Sequence, residues 1–291
     1  MGTVSVIRAE AVARAVADLY GSISTNLRPD VVAALEAALE GETSDTGREV
    51  LRELLENAAV SRDSGIPLCQ DTGALVAFVE LGSRVVLDAG TVQAAVDEGV
   101  RSAARRVPLR TSMVSDPIGR RNTGDNTPAI VHVELVEGDT LTVRLLAKGG
   151  GAENTSRVAM LTPAEGRKGV VRTIVETVSA AGAGACPPVV VGVGLGGNFE
   201  RSAVLAKRAL LRDLAQPNPD ARLAEIEREA LEAVNDLGIG PQGFGGRTTA
   251  LAVLIAAAPC HIASLPVAVN VECHSHRHGS ITLKGTPPDG G

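Results

Sequence analysis

Aromatic residues are almost missing from this chain, which has no tryptophan, one tyrosine and three phenylalanines in 291 residues. A core without rings has to be built from Val, Leu, Ile and Ala packed at close range, and stacking platforms for nucleobases are not expected. Positive charge is short as well. There are 28 Lys and Arg against 34 Asp and Glu, a formal charge of −6 at pH 7, whereas a nucleic-acid-binding domain carries a basic surplus on one face. No apolar run reaches the ~20 residues that cross a bilayer; the longest candidate, TALAVLIAAAPCHIASLPVAV, is broken by His261 and two prolines. The opening MGTVSVIRAEAVARAVADLY lacks the positive start and continuous apolar stretch of a signal peptide, so a cytoplasmic protein with reduced thiols is expected. The four cysteines stand at 69, 186, 260 and 273 with no CxxC spacing, which removes zinc-ribbon and thioredoxin-type readings.

Hydrophobic residues nevertheless make up 44% of the chain, enough for a sizeable core. Residues 6–62 read as three amphipathic helices; PDVVAALEAALEG and SDTGREVLRELLENAAVSR both carry helical spacing. From LVAFVELG and RVVLD the texture becomes strand-like, returns to helix in AGTVQAAVDEGVRSAARR, and then predicts a hairpin, AIVHVELV-EGD-TLTVRLLA, with Gly in its turn. A helix near 163–181 leads to the buried strand PPVVVGVG and to two helices, SAVLAKRALLRDL and ARLAEIEREALEAVNDLG. TTALAVLIAAA, SLPVAVNVECHSH and GSITL close the chain as strands. The expectation is a mixed α/β (α+β) fold without repeats, with N-terminal helices followed by sheet elements interleaved with helices. One domain is expected over 1–284, helical over 1–62 and mixed over 63–284, with GTPPDGG at 285–291 as a tail or linker.

Several stretches carry chemistry. GIPLCQDTG at 65–73 sets a thiol beside an amide, a carboxylate and a hydroxyl, groups that need partners once water is excluded. Gly192, Gly194 and Gly197 spell G-x-G-x-x-G after an apolar strand, but Asp213 falls inside a helix rather than at the end of a second strand, so the dinucleotide unit is not completed; a tight strand-to-helix turn is the alternative. The AKGGG run at 147–151 either turns backbone N–H groups toward an anion or is a flexible hairpin exit. His274, His276 and His278 sit near Cys273, yet at strand spacing the histidines share one face and the cysteine the other, so a partly solvated polar edge is expected rather than a zinc site. Cys69, Cys186 and Cys273 lie in loop-like contexts, and three separated thiolates brought together by a fold can hold an iron–sulfur cluster with one iron free of protein. Such an iron is a Lewis acid suited to adding or removing water.

Across nearly the whole chain, GIPLCQDTG at 65–73, LRTSM at 109–113, NTGDNTPA at 122–129, AKGGGAENTS at 147–156, ACPPVVVGVGLGG at 185–197, LGIGPQGFGG at 237–246 and ASLPVAVNVEC at 263–273 follow one another in an order that resembles the class I (iron–sulfur) fumarate hydratases. The likeness is to the α subunit of their two-subunit forms, shared with L(+)-tartrate dehydratases. It implies a [4Fe–4S] cluster on Cys69, Cys186 and Cys273, with Cys260 a bystander. It further implies Gln70, Asp71, Arg110 and Gly151 around a dicarboxylate, with Asp71 as acid/base equipment. Reversible hydration of fumarate to L-malate is the implied activity, with L(+)-tartrate or mesaconate as alternative substrates; a non-catalytic subunit, or one binding a nucleotide at 192–197, is the reading from another class. The single-chain relatives carry a further domain with a catalytic Thr and more Arg and Lys contacts, so a separate β subunit and an α2β2 assembly are implied here.

Overall fold

A computed structural model describes residues 4–287, and the chain divides into two compact units. The mixed α/β expectation holds.

The first unit comprises, among the described residues, 4–27, 60–148 and 277–287. It contains β1 (Ser5–Ile7), α1 (Ala9–Thr25), β2 (Ala74–Gly82), β3 (Val85–Leu87), α4 (Val92–Arg106), β4 (Ile130–Val136), β5 (Thr140–Lys148) and β10 (His278–Lys284). In α1, Val12, Val16, Tyr20 and Ile23 are buried at the three- and four-residue spacing of one helical face. That face packs on α4, where Gly99 lets the helices close: a Cβ there would lie 2.6 Å from the Val16 side chain. Both helices cover a four-stranded sheet of order β10-β5-β2-β4, whose Leu75, Ala77, Val79, Leu141, Val143 and Leu145 complete the core.

The expected β4–β5 hairpin does not form. β2 lies between the two strands, parallel to β4 and antiparallel to β5. The turn at 137–139 instead passes over the end of β2, where Gly82 leaves room: a Cβ on it would sit 2.7 Å from the Gly138 carbonyl oxygen. Strand pattern and turn residues were correct, but a Gly-containing turn specifies a hairpin only when nothing else competes for the strand edges. The described part of the expected tail is tied down, since Val6 N–H donates to Thr286 O and Gly285 N–H to Asp139 O; residues 288–291 lie outside the described part.

The second unit comprises residues 28–59 and 149–276. It holds α2 (Pro29–Gly41), most of α3 (Asp45–Ser64), the one-turn α5 (Gly150–Glu153), β6 (Arg157–Leu161), α6 (Gly166–Ala181), β7 (Val189–Gly196), α7 (Phe199–Ala209), α8 (Ala221–Asn235), β8 (Ala250–Ala258) and β9 (Leu265–Glu272). The sheet order is β6-β9-β7-β8, with β7 and β8 parallel and β9 antiparallel to β7. Strands β1 and β6 escape the sequence reading because three and five residues are too short for a period to declare itself.

Gly192 and Gly194 have a packing role. A Cβ on either would lie 2.2 Å from Ala206 O or 1.8 Å from Ser202 O, so α7 rests directly on the backbone of β7. Asp213 is not helical; it follows α7 in a turn, where it accepts from Ala215 N–H and pairs with Arg28.

Candidate active site

The first unit carries Cys69, Gln70, Asp71 and Arg110. The loop 65–73 starts where α3 ends and is fixed to the C-terminal turn of α1: Leu68 N–H donates to Ser24 O at 2.9 Å, and Ser61 Oγ donates to Thr25 O and Ile66 O. Within the loop, Cys69 Sγ donates to Gln70 Oε1 and accepts from Asp71 N–H, both at 3.4 Å, and Asp71 Oδ1 accepts from Gly73 N–H at 2.9 Å. Gly73 has φ 74°, a left-handed conformation that suits glycine at the brake before β2. Thiol, amide and carboxylate thus share one short turn, with Cys69 half-buried and Gln70 exposed.

Tyr20 and Arg277 are site neighbours that the sequence reading missed. Tyr20 is fully buried and Arg277 is 2% exposed. Burial pushes the Tyr20 hydroxyl up to about 12, Arg277 pulls it the other way, and the Asp71 carboxylate adds to the rise. No motif announces this cluster, because its members lie on α1, the 65–73 loop and the segment entering β10.

Arg110 is exposed, and its backbone is held by Asn126, whose Nδ2 donates to Arg110 O at 3.1 Å and whose Oδ1 accepts from Ser112 N–H at 2.7 Å. Asp125 beside it takes Thr127 N–H, Thr127 Oγ1 and Arg101 Nε. Desolvation opposes ionisation there, but these Thr127 and Arg101 bonds outweigh it and hold the Asp125 carboxyl below its usual range. The NTGDNTPA stretch is therefore the clamp on LRTSM.

The second unit carries Gly151, Cys186 and Cys273. Gly149 caps α5, which makes the AKGGG run an ordered strand-to-helix junction with Gly151 exposed in its first turn. Gly151 adjoins the Cys186 loop: a Cβ on it would lie 3.6 Å from Gly184 O. Cys186 is exposed and left-handed at φ 54°. Its carbonyl oxygen lies 3.1 Å from His274 Nδ1 and 3.4 Å from His274 N, so the segments bearing Cys186 and Cys273 meet.

Gln242, from the LGIGPQGFGG stretch, joins them, a third residue whose role the sequence reading missed. Its backbone N–H and its Nε2 both donate to Pro187 O at 2.8 Å, and Nε2 lies 3.1 Å from His274 Nδ1. The surrounding loop is anchored by Glu42, which is fully buried and accepts from the N–H groups of Thr43, Ser44, Arg247 and Thr248. Desolvation would raise this carboxyl, yet the four residues' N–H groups outweigh it and hold Glu42 below the usual glutamate range.

The histidines depart from expectation. His274 and Ser275 lie in a turn rather than a strand, and His276 and His278 are 0% and 3% exposed. The expected solvated edge is a buried segment: β10 is the outer strand beside β5, but a place at a sheet margin does not expose a side chain over which other segments pack. Cys260 is exposed, donates Sγ to Ser264 O, and shares with His261, Pro163, Leu195 and Ile226 a largely apolar cavity of 360 Å³.

All four cysteines are thiols. Among the described residues no group of three His, Cys, Asp or Glu side chains is arranged to hold a single metal ion. A cluster asks for something different, since each thiolate binds its own iron. The donor set fits that demand: soft thiols on three loops, two of which meet through the Cys186–His274 contact.

Comparison with known proteins places the chain in a family. The model of the fumarate hydratase (Fumerase) family matches residues 13–282. A Methanocaldococcus jannaschii protein, provisionally named L(+)-tartrate dehydratase subunit alpha, is 37% identical over 276 residues, covering 92% of this chain and 96% of its own. L(+)-tartrate dehydratase subunit alpha of Escherichia coli is 36% identical over 271 residues, 92% of this chain and 89% of that one. The Shigella sonnei protein of the same name is 35% identical over the same span. With the match running over most of its length, the chain belongs to the class I fumarate hydratase family of hydro-lyases.

Proposed function

We propose that the chain is the α subunit of an iron–sulfur hydro-lyase that interconverts fumarate and L-malate, working in the cytoplasm with a separate β subunit. The observation that carries this reading is the 69–73 turn, where the carboxylate of Asp71 is oriented by Gly73 N–H while the adjacent backbone N–H is given to the Cys69 thiol. A proton-transferring group is thereby built into the same turn as a metal-ligating one.

Cys69, Cys186 and Cys273 would hold the cluster. When bound, a [4Fe–4S] cluster with one iron free of protein supplies a Lewis acid for a hydroxyl and a carboxylate. Arg110 offers a forked donor to one substrate carboxylate, on a segment whose backbone Asn126 already fixes. Gly151 presents a backbone N–H with no side chain in the way, and Gln70 adds an amide at the exposed side of its loop. In the dehydration direction a base removes the proton on C3, its electron pair becomes the C2–C3 double bond, and the hydroxyl leaves C2 as water with a proton from an acid. In this reading Asp71 serves one of these two transfers and a residue of the β subunit the other.

A second reading, L(+)-tartrate dehydration, is favoured by the names of the Escherichia coli and Shigella sonnei relatives. Tartrate differs from malate by one hydroxyl and keeps both carboxylates, so the same α-chain groups serve it. The nucleotide reading is less favoured, since Asp213 stands in a turn after α7 rather than at the end of a second strand.

The test is oxygen-free purification with and without a co-expressed β subunit, followed by assays with fumarate, L(+)-tartrate and mesaconate. The expected result is turnover of fumarate by the α2β2 assembly and little or none by this chain alone. Strong activity of the isolated chain would overturn the two-subunit reading, and a preference for tartrate would select the second one.

A further inference from the structure

Strand β4 is the last strand of the first unit's sheet, and among the described residues no strand pairs with its outer edge. Such edges are ordinarily blunted by a Lys, a Pro, a bulge or a covering loop. IVHVELV at 130–136 has neither Lys nor Pro, its register with β2 runs without a bulge, and its apolar side chains reach solvent: Ile130 is 44%, Val133 50% and Leu135 75% exposed. Val131 and Val133 lie on the face that continues the core of β2, where Val131 still packs against that core and Val133 has run out of cover.

The strand is also complementary to itself. Turned end for end about Val133, it sets Val131 opposite Leu135, Ile130 opposite Val136, and His132 opposite Glu134, each of these twice. On one face the antiparallel pair closes a row of Val and Leu over the two exposed Val133 side chains. On the other it brings an imidazole against a carboxylate at both ends, the cross-strand arrangement that stabilises a sheet. A two-fold axis needs this self-match, because the same patch must serve both subunits; an unrelated strand has no reason to supply it.

We propose that β4 is the contact between two copies of this chain, antiparallel about Val133, so that two four-stranded sheets become one continuous sheet. This does not rest on the hydro-lyase reading, since it uses none of the cysteine loops.

The experiment is sedimentation equilibrium of the full chain over a concentration series, repeated with the β subunit present. Two copies per particle are expected for the wild type. Val133→Lys with Leu135→Lys should give one copy per particle with an unchanged far-ultraviolet spectrum, because both side chains are exposed in the single chain. His132→Glu alone puts carboxylates opposite each other and should weaken association roughly tenfold or more, and adding Glu134→His should recover most of that loss. Hydrogen exchange at 130–136 should slow with dimerisation. A wild type that stays single at all concentrations would overturn the proposal. So would a Val133→Lys, Leu135→Lys protein that remains two-copy, or an edge protected only by the β subunit.

Discussion

Cys69 in the first unit and Cys186 with Cys273 in the second are positioned by different means. Around Cys69 the bonds are local: Gln70, Asp71 and Gly73 settle one another within five residues, and the turn is then attached to α1 through Leu68. Around Cys186 almost nothing is local. His274 comes from 88 residues further on, Gln242 from 56 residues on, and the loop carrying Gln242 is itself held by Glu42 from the other end of the sequence. A self-contained turn survives changes elsewhere, whereas an arrangement of three distant segments is only as firm as its least secure anchor.

The sharpest break in this comparison is chemical. Cys69→Ser, Cys186→Ser and Cys273→Ser are each expected to abolish iron loading, while Cys260→Ser keeps it; iron and acid-labile sulfide per chain check this. Next in size, Glu42→Gln should destabilise the protein by about 2–4 kcal/mol, since it weakens several charge-assisted bonds to a buried group, and chemical denaturation reads the loss. Gly194→Ala should cost a similar ~2–4 kcal/mol through overpacking against Ser202 O, without any effect on a nucleotide. Iron loading should fall with Glu42→Gln even where the chain remains folded, because Gln242 and His274 lose their support.

A smaller effect lies in the first unit. Tyr20 holds its proton to about pH 12 in the folded chain against 10 for an ordinary tyrosine. The unfolded chain releases that proton first, so the stability linked to it is fully present below pH 10 and lost as pH rises through about 12. The loss is roughly 2–3 kcal/mol. Tyr20→Phe should remove this alkaline decline while changing little at neutral pH, where the hydroxyl has no hydrogen-bond partner among the described residues; denaturation across the alkaline range tests it. Smallest of all, Gln242→Ala should cost about 1 kcal/mol and slow cluster loading.

The same contrast accounts for what could be read from the sequence. Helices α1 to α4 and α6 to α8 announce themselves by apolar spacing, and the Cys69 turn was visible because its chemistry lies within nine letters. β4 and β5 were recognised as strands but given the wrong partner, since the competition of β2 for both edges is a tertiary fact. The burial of His276 and His278 was misjudged for a related reason: alternating polar residues look like a wetted edge unless the packing of other segments over them is known. Tyr20, Arg277 and Glu42 carry no motif at all, and Gln242 lies within LGIGPQGFGG without anything in that stretch naming its partners. Each is an ordinary residue made important by a neighbour that is distant in sequence.

The most direct test is iron and acid-labile sulfide per chain on protein purified without oxygen together with its β subunit. About three to four of each, with a brown colour lost in air, is the predicted result. No iron would contradict the account at its centre, leaving three thiols on three loops without the ligand that relates them.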